Sequence, residues 1–379
     1  MSGAAQAPPG AIHPSIGDII ANAPWSNLEV HLDGLRERVD SSVEQSHELR
    51  TRYREELLHD NPELVDKIRR PSEAAMNRAR TLLQTGTVAA ADGTVSIVPL
   101  LSGSKIQVGV VIVFNRGEVV ELVTRIFEHD MTTPGGSATG FFAELRKARQ
   151  VSNLVSRAVM LFGERSLLIQ QNADWRMIHG ELVPHELRTG AGRPELNLPP
   201  TFALIHQYLA TKRFIAVSEG TDDIDILNAA VLLEPGEFIV IRTMTETLNT
   251  FLEGDAETGQ RRANFTKADL GKFRDFIAVA GPQVDVVLVR AGSKPFILEC
   301  HHDEVENAVA LFMTDSIWSR GVGTGGAAAI RGFPYLIDLA DQVAGTLFKG
   351  SDFERFVEAR LMSLGVDQGL FDIDPRRTR

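Results

Sequence analysis

Between Thr87 and Phe114 the chain reads TVAAADGTVSIVPLLSGSKIQVGVVIVF, and this stretch decides the fold. It divides into TVAAAD, TVSIVPLL and IQVGVVIVF, separated by Asp92-Gly93 and by Ser102-Gly103-Ser104. Apolar and β-branched runs bounded by turn chemistry predict three short strands in succession. Asp92 closes a run that is otherwise apolar and small. A carboxylate at the inner end of a buried strand costs free energy unless it is hydrogen-bonded, paired or bound to a metal. On spacing alone, Asp92-Gly93 serves equally well as an ordinary hairpin turn.

Upstream, Leu28 to Leu83 is charged and helical in period, with Leu32, Leu35 and Val39 on one face and Leu57, Leu64 and Ile68 further on. Asn61-Pro62 and Arg70-Pro71 divide it into two or three helices. Such a region either docks a partner or forms a helical layer on its own domain. Residues 1–27, rich in Ala, Pro and Gly, are expected to form a flexible arm.

Downstream, Glu118 to Phe127 is a further extended segment, and Met131 to Ser137 a loop. A long helix is expected from Ala138 to about Phe162, its Arg146, Lys147 and Arg149 on a solvated face. Ser166 to Gln170 is a short apolar segment, and Arg176 to Val183 reads as a strand running into the turn His179-Gly180-Glu181. A Gly/Pro-rich loop (Leu187 to Pro200), a helix (Thr201 to Thr211) and a strand (Phe214 to Val217) follow. An inserted segment, about 222–300, holds a helical stretch, the strand EFIVIR, an exposed loop from Phe251 to Lys267 and a hairpin around Ala291-Gly292-Ser293. After it come a helix from Glu304 to Met313, a glycine-rich loop, a helix from about Pro334 to Phe348, and a C-terminal helix and tail over 351–379.

Composition sets outer bounds. At 379 residues, 43% apolar and 23% charged, the chain has the make-up of a soluble globular protein. No apolar run approaches the roughly 20 residues that span a bilayer, and no secretory signal opens the sequence. One cysteine, Cys300, fits a reducing cytoplasm. A net charge of −11 excludes a wholly basic nucleic-acid binder, while leaving room for a local basic groove.

Three strands, helix, strand, helix, strand is the connectivity of a ribonuclease-H-like α/β fold: a mixed sheet (here 84–350) with flanking helices, a helical N-terminal region and a C-terminal elaboration. Its chemistry needs carboxylates converging from the first strand, a later strand end and a late helix, to hold divalent cations through oxygen. Asp92 supplies the first. Glu181 and His179, two apart, share a face if the segment stays extended. Asp338 and Asp341, three apart, share a face of the last helix.

Several local motifs resemble the NurA 5′–3′ nucleases, over most of the chain from about Thr81. ADGT (Ala91 to Thr94) is similar to that family's first-strand Asp-Gly-Ser, and RMIHGELVPHELRTGAG (Arg176 to Gly192) to its second core motif. FIAVSEG (Phe214 to Gly220) matches a short strand, and RGFPYLIDLADQVA (Arg331 to Ala344) the C-terminal Gly-Tyr-Pro…Ala-His segment. The resemblance implies a dimeric, Mn2+- or Mg2+-dependent DNA nuclease working on DNA ends with the hexameric ATPase HerA, in repair or phage defence. It also implies a glutamate on or after the long helix, Glu144 or Glu164. His179 stands where the family has Asp, and Asp341 where it has His. Either the ligand set is rearranged within one pocket or catalysis is weakened or lost.

The expected metal ligands are Asp92, Glu181, Asp338 and Asp341, with Glu164 and His179 in second rank. Arg188, Arg193, Arg320 and Arg331 flank the later motifs as candidate phosphate contacts or ordinary surface arginines. Cys300-His301-His302-Asp303-Glu304 has metal-binding residue types without zinc spacing, and reads better as a strand end entering a helix cap. The glycines at 321, 323, 325 and 326 lack the Gly-Lys-Ser/Thr of a phosphate loop. The main rival to a nuclease is a non-catalytic adaptor of the same fold. An actin-type phosphate enzyme ranks lower, because it needs a second glycine-rich hairpin.

Overall fold

The structure, a computed structural model, describes residues 15–17, 28–100, 103–127, 138–221, 223–253, 265–321, 331–348 and 350–365. The loop at Met131 to Ser137, most of the glycine-rich loop and the C-terminal tail lie outside them. The chain forms two compact units, Met1–Asp60 and Asn61–Arg379. In the first, α1 (Leu28–Asp60) is one helix of 33 residues; no proline interrupts it, and its described side chains from Val39 onward are largely exposed.

The second unit opens with a five-residue helix, Glu63–Lys67, followed by α2 (Glu73–Thr85), capped by Ser72, whose side chain accepts from the Ala75 N–H, and closed by Gly86 in the left-handed conformation (φ 75°). Ala75, Ala79 and Leu83 repeat every four residues and are all buried. The helical stretch read as 28–83 is therefore divided between the two units.

The opening strands depart from the sequence reading. Asp92-Gly93 is no turn: β1 (Val88–Leu100) is one 13-residue strand, with Asp92 opposite Val111 and Gly93 opposite Val110 of β2 (Gly103–Phe114). The third strand is β3 (Val119–Phe127). Gly93 serves close approach instead: a Cβ there would lie 2.7 Å from both Glu164 Oε1 and Met160 Cγ. A glycine inside a strand is the residue that allows such packing.

The helix over Glu164, α3 (Ala138–Ile169), runs seven residues beyond its expected end. β4 (Trp175–His179) follows, then α4 (Pro194–Thr211), β5 (Phe214–Ser218) and α5 (Ile224–Leu232). α4 takes in the second half of the expected Gly/Pro loop, with Pro194 in its first turn and Pro199 and Pro200 inside it. The segment expected as an insertion forms β6 (Glu237–Thr243), α6 (Met244–Glu253), α7 (Lys267–Ala280), β7 (Val284–Arg290) and β8 (Pro295–His301). Helices α8 (Val305–Gly321), α9 (Tyr335–Leu347) and α10 (Gly350–Ser363) complete the unit.

The eight strands form one sheet in the order β3-β2-β1-β4-β5-β8-β7-β6. β1, β4 and β5 are parallel, with β2 and β3 antiparallel beside them. The first five strands have the ribonuclease-H-like order, and the segment expected as an insertion extends the same sheet through the antiparallel pair β5·β8. Both faces are covered, so the central strands are apolar without alternation. Val88, Ala90, Met177 and Val217 pack with α2, α8 and α9, whereas Ala89, Ala91, Ile178 and Ala216 pack with α3, α4, α6 and α7.

Two consequences position the site. β4 pairs with β1 only over Val88 to Ala91, so from Asp92 onward β1 parts from its parallel neighbour and opens a crevice at the carboxyl ends of β4 and β5. Open α/β sheets bind ligands at such places. In addition, the β7–β8 turn is clamped to the segment before α9: the Lys294 N–H donates to Arg331 O (3.2 Å), and a Cβ on Gly292 would lie 2.6 Å from Gly332 N. Gly332 also sits at φ +83°, where an L side chain is strained. Gly292→Ala and Gly332→Ala should each cost ~2–3 kcal/mol in urea unfolding. Gly345→Ala, where a Cβ meets nothing within 4 Å, should be neutral or stabilising.

Candidate active site

Asp92 is 7% exposed and is the hub of the site. From the neighbouring strand, His179 Nδ1 lies 3.5 Å from Asp92 Oδ2. From α9, Asp341 shares a hydrogen bond with the Asp92 carboxylate. Glu164, 1% exposed, reaches Gly93 and acts electrostatically on Asp92 from beneath. The mouth is lined by Asp338, one turn before Asp341, and by Glu219 just past β5. Glu219 Oε1 stands 3.7 Å from His179 Nε2.

The protonation pattern is that of crowded acids. Burial pushes Glu164 up to about 8, and the nearby Asp92 carboxylate adds to it against the opposing pull of Arg165 and His179. Asp341 is raised first by desolvation and then by its hydrogen bond to Asp92. His179 is raised, chiefly by its hydrogen bond to Asp92. Among the described residues Glu164 Oε1 has no hydrogen-bond partner.

Positioning comes from buried polar contacts. Arg165, fully buried, donates from Nη1 to Glu164 Oε2 (3.2 Å) and Leu161 O (2.9 Å), and from Nε to Leu182 O (3.0 Å). Its Nη2 donates to Glu181 O. One guanidinium thus fixes Glu164 and ties α3 to the turn after β4. On the other side, Pro334 offers α9 no side-chain cap. Buried Asp315 of α8 substitues for it, accepting the Leu336 N–H at 2.9 Å and so setting the start of the helix that carries Asp338 and Asp341. Burial pushes Asp315 up to about 7.

Not every expected residue joins this group. The strand ends at His179 and Gly180 turns at φ 82°, so the alternation that would have put Glu181 beside His179 is broken. Glu181 pairs instead with Arg188 Nη2 (2.9 Å), next to buried Glu299, which accepts the Leu182 N–H. Arg188 is itself buried and held by Glu181, which removes it from a phosphate-contacting surface. Arg193 is exposed at the start of α4, and the side chains of Arg320 and Glu144 lie outside the described residues. Arg331 is at the site, 3.5 Å from Glu219 Oε2. His301, His302 and Asp303 have ligand atoms within 4.8 Å of one another. However, His301 caps the Asp303 N–H (3.2 Å) and Lys212 Nζ holds Asp303 Oδ2 at 2.7 Å, so strand end into cap describes them.

Sequence reasoning gave no role to Glu219, Lys294, Arg165 or Asp315. Glu219 had a readable signal, an acid just past a parallel strand; a lysine in a hairpin turn carried none.

No family model matches the chain, and no curated protein does. Solved structures do. The NurA nuclease from Sulfolobus solfataricus is 12% identical with a TM-score of 0.42, over 82% of this chain and 96% of that one. A NurA bound to dAMP and manganese is 11% identical with a TM-score of 0.44, over 89% and 99%. Endonuclease V from Bacillus subtilis is 12% identical with a TM-score of 0.30, over 72% and 88%. Among the described residues no helix is long and apolar enough to cross a membrane.

Because the folded pKa of Glu164 is raised from 4.5 to about 8, its contribution to stability is fully present below about pH 4.5 and is lost as pH rises through about 8. In metal-free buffer, Glu164→Gln should reduce the fall in unfolding free energy between pH 5 and pH 9 by on the order of 2–4 kcal/mol. Denaturant titrations of both proteins at the two pH values check this.

Proposed function

We propose that this protein is a divalent-metal-dependent deoxyribonuclease of NurA type. The observation that carries the reading is the carboxyl cluster itself. Asp92, Asp341 and Glu164 crowd one crevice, with Asp341 raised by burial and by the neighbouring Asp92 carboxylate and an unpartnered buried oxygen on Glu164. Hard oxygens with one imidazole suit Mn2+ or Mg2+.

The exchanged motif residues support a rearranged ligand set. The resembled family has Asp at the second motif and His at the last; this chain has His179 and Asp341, and both face Asp92. The donor types are kept with two positions exchanged. Asp92, Glu164 and Asp341 would hold the cation, with His179 and Asp338 beside them, and Glu181 leaves the set. Bound there, a divalent cation supplies an activated water and neutralises charge on the leaving oxygen of a phosphodiester.

The chain's own groups do the remaining work. Glu164, pushed up to about 8 by burial, and Asp341, raised by burial and by Asp92, would serve as ligands in their deprotonated forms. Arg165 keeps the Glu164 carboxylate in place as its charge appears. His179, raised chiefly by its hydrogen bond to Asp92, would present Nε2 to the mouth while Nδ1 faces Asp92. The helical preface and a homodimer fit this role, as does a HerA-type hexameric ATPase acting as the motor on DNA ends in repair or phage defence. No motor motif is present in the sequence.

Linear DNA with Mn2+ should be degraded by the wild type, alone or with the cognate ATPase. Asp92→Ala should lower the rate by more than the roughly 100-fold that loss of an outer-shell partner costs. Absence of cleavage in every combination, with a stable ATPase complex, would establish the adaptor instead. Because ligands must deprotonate to bind metal, Mn2+ should raise Tm more at pH 8.5 than at pH 6, and Asp341→Asn should weaken that pH dependence. Thermal melts with and without Mn2+ decide it.

A further inference from the structure

At the mouth of the crevice, two cations from distant parts of the chain converge on one oxygen. Lys294 Nζ, from the β7–β8 turn, lies 3.7 Å from Glu219 Oε2, and Arg331 Nη1, from the segment before α9, lies 3.5 Å from the same atom. Both pairs are long for charge-assisted hydrogen bonds, and all three side chains are roughly 40% exposed. Surface pairs of this kind add little stability.

The scaffold beneath them is rigid. The Gly292–Gly332 contact leaves no space for a Cβ, and the Lys294 N–H is bonded to Arg331 O, so the two backbones are locked side by side. The Lys294 ammonium lies 5.4 Å from the centre of the Phe296 ring. Phe296 packs on Phe333, and Phe333 meets the His179 ring edge-on at 5.7 Å. This aromatic wall joins the lysine to the carboxyl cluster. Arg331 also acts on Asp338, opposing the rise that burial causes in that acid, which places the guanidinium at the same rim.

We propose that Lys294 and Arg331 form a phosphate-binding pair, which seats a DNA backbone phosphate adjacent to the one cut at Asp92, with Glu219 occupying that place until the phosphate displaces it. This deepens the nuclease reading and rests on it. An oxygen shared by two cations is the arrangement a phosphate oxygen offers, and in an acidic chain of net charge −11 a backbone needs local cations to approach carboxylates.

The test is fluorescence anisotropy of a labelled single-stranded oligonucleotide in Ca2+, titrated over a range of salt. Lys294→Met and Arg331→Met should each weaken binding several-fold at low salt. Each should also lower the slope of log K against log[salt] by about 0.7, the value for one phosphate contact on a single strand. Lys294→Arg should retain affinity and slope. Glu219→Gln should bind more tightly, the opposite sign to the cation variants. In cleavage assays the cation variants should raise KM more than they lower kcat.

A double Lys294→Met/Arg331→Met variant with wild-type affinity and slope would overturn the pair as a phosphate site, while Asp92-dependent cleavage would leave the nuclease reading standing. If Glu219→Gln weakened binding, the carboxylate would be an orienting partner and the displacement would be wrong. Wild type that neither binds nor cuts DNA would overturn both readings.

Discussion

A glutamate forced against a strand that has no side chain to spare is the constraint from which the site follows. Glu164 reaches the sheet only because Gly93 leaves the space, and Gly93 must be followed through a continuous strand because Asp92 and its neighbours stay paired with β2. The carboxyl is then dry, and the only cation in contact with it, among the described residues, is Arg165. That guanidinium is shared with three backbone carbonyls, so it is too committed to neutralise Glu164 fully. The result is an acid poised to ionise when a stronger positive charge arrives.

The same geometry explains why the pocket sits at one end of the sheet. β4 and β5 stop at His179 and Ser218 while the β1–β2 hairpin continues, so side chains from β1, β4 and the segment after β5 meet where strands part. The long helices hold the remaining acids from opposite faces: α3 brings Glu164 from one layer, and α9, capped by Asp315, brings Asp341 from the other. Neither layer alone contains the site.

Much of this was legible in the sequence, for identifiable reasons. The β-branched runs from Val88 to Phe127 could only be strands, and the apolar segments at 176–179 and 214–217, with a helix between them, implied parallel neighbours. Asp92 stood out because a carboxylate ending an apolar run must be satisfied somehow, Asp341 because it shares a helix face with Asp338, and His179, in second rank, because it sits in the turn after an apolar strand. What failed was local. Asp-Gly has turn chemistry, and nothing in the sequence says that a helix will cover the glycine. The assumption that Glu181 continued the alternation ignored Gly180, whose positive φ ends it. Lys294 and Arg331 are thirty-seven positions apart in the sequence and meet through a glycine contact and a backbone hydrogen bond between two loops, a coincidence that periodicity does not carry.

The energetics also weigh between an enzyme and an adaptor. A domain kept only for its outer surface gains nothing from a dry glutamate with an unpartnered oxygen, nor from an aspartate raised by burial and by a second aspartate beside it. Such groups cost stability, and filling the same volume with well-packed apolar side chains is often neutral or stabilising. Burial also raises Glu299 and Asp315, but each of these accepts a backbone N–H, whereas Glu164 Oε1 has no partner among the described residues; the more exposed acids Glu181, Asp303 and Asp223 pair with Arg188, Lys212 and Arg242. Strain of this kind is offset when a cation binds, because metal affinity then enters the folding free energy. On the proposed reading a divalent cation in the crevice would offset that cost, whereas an adaptor would bear it throughout.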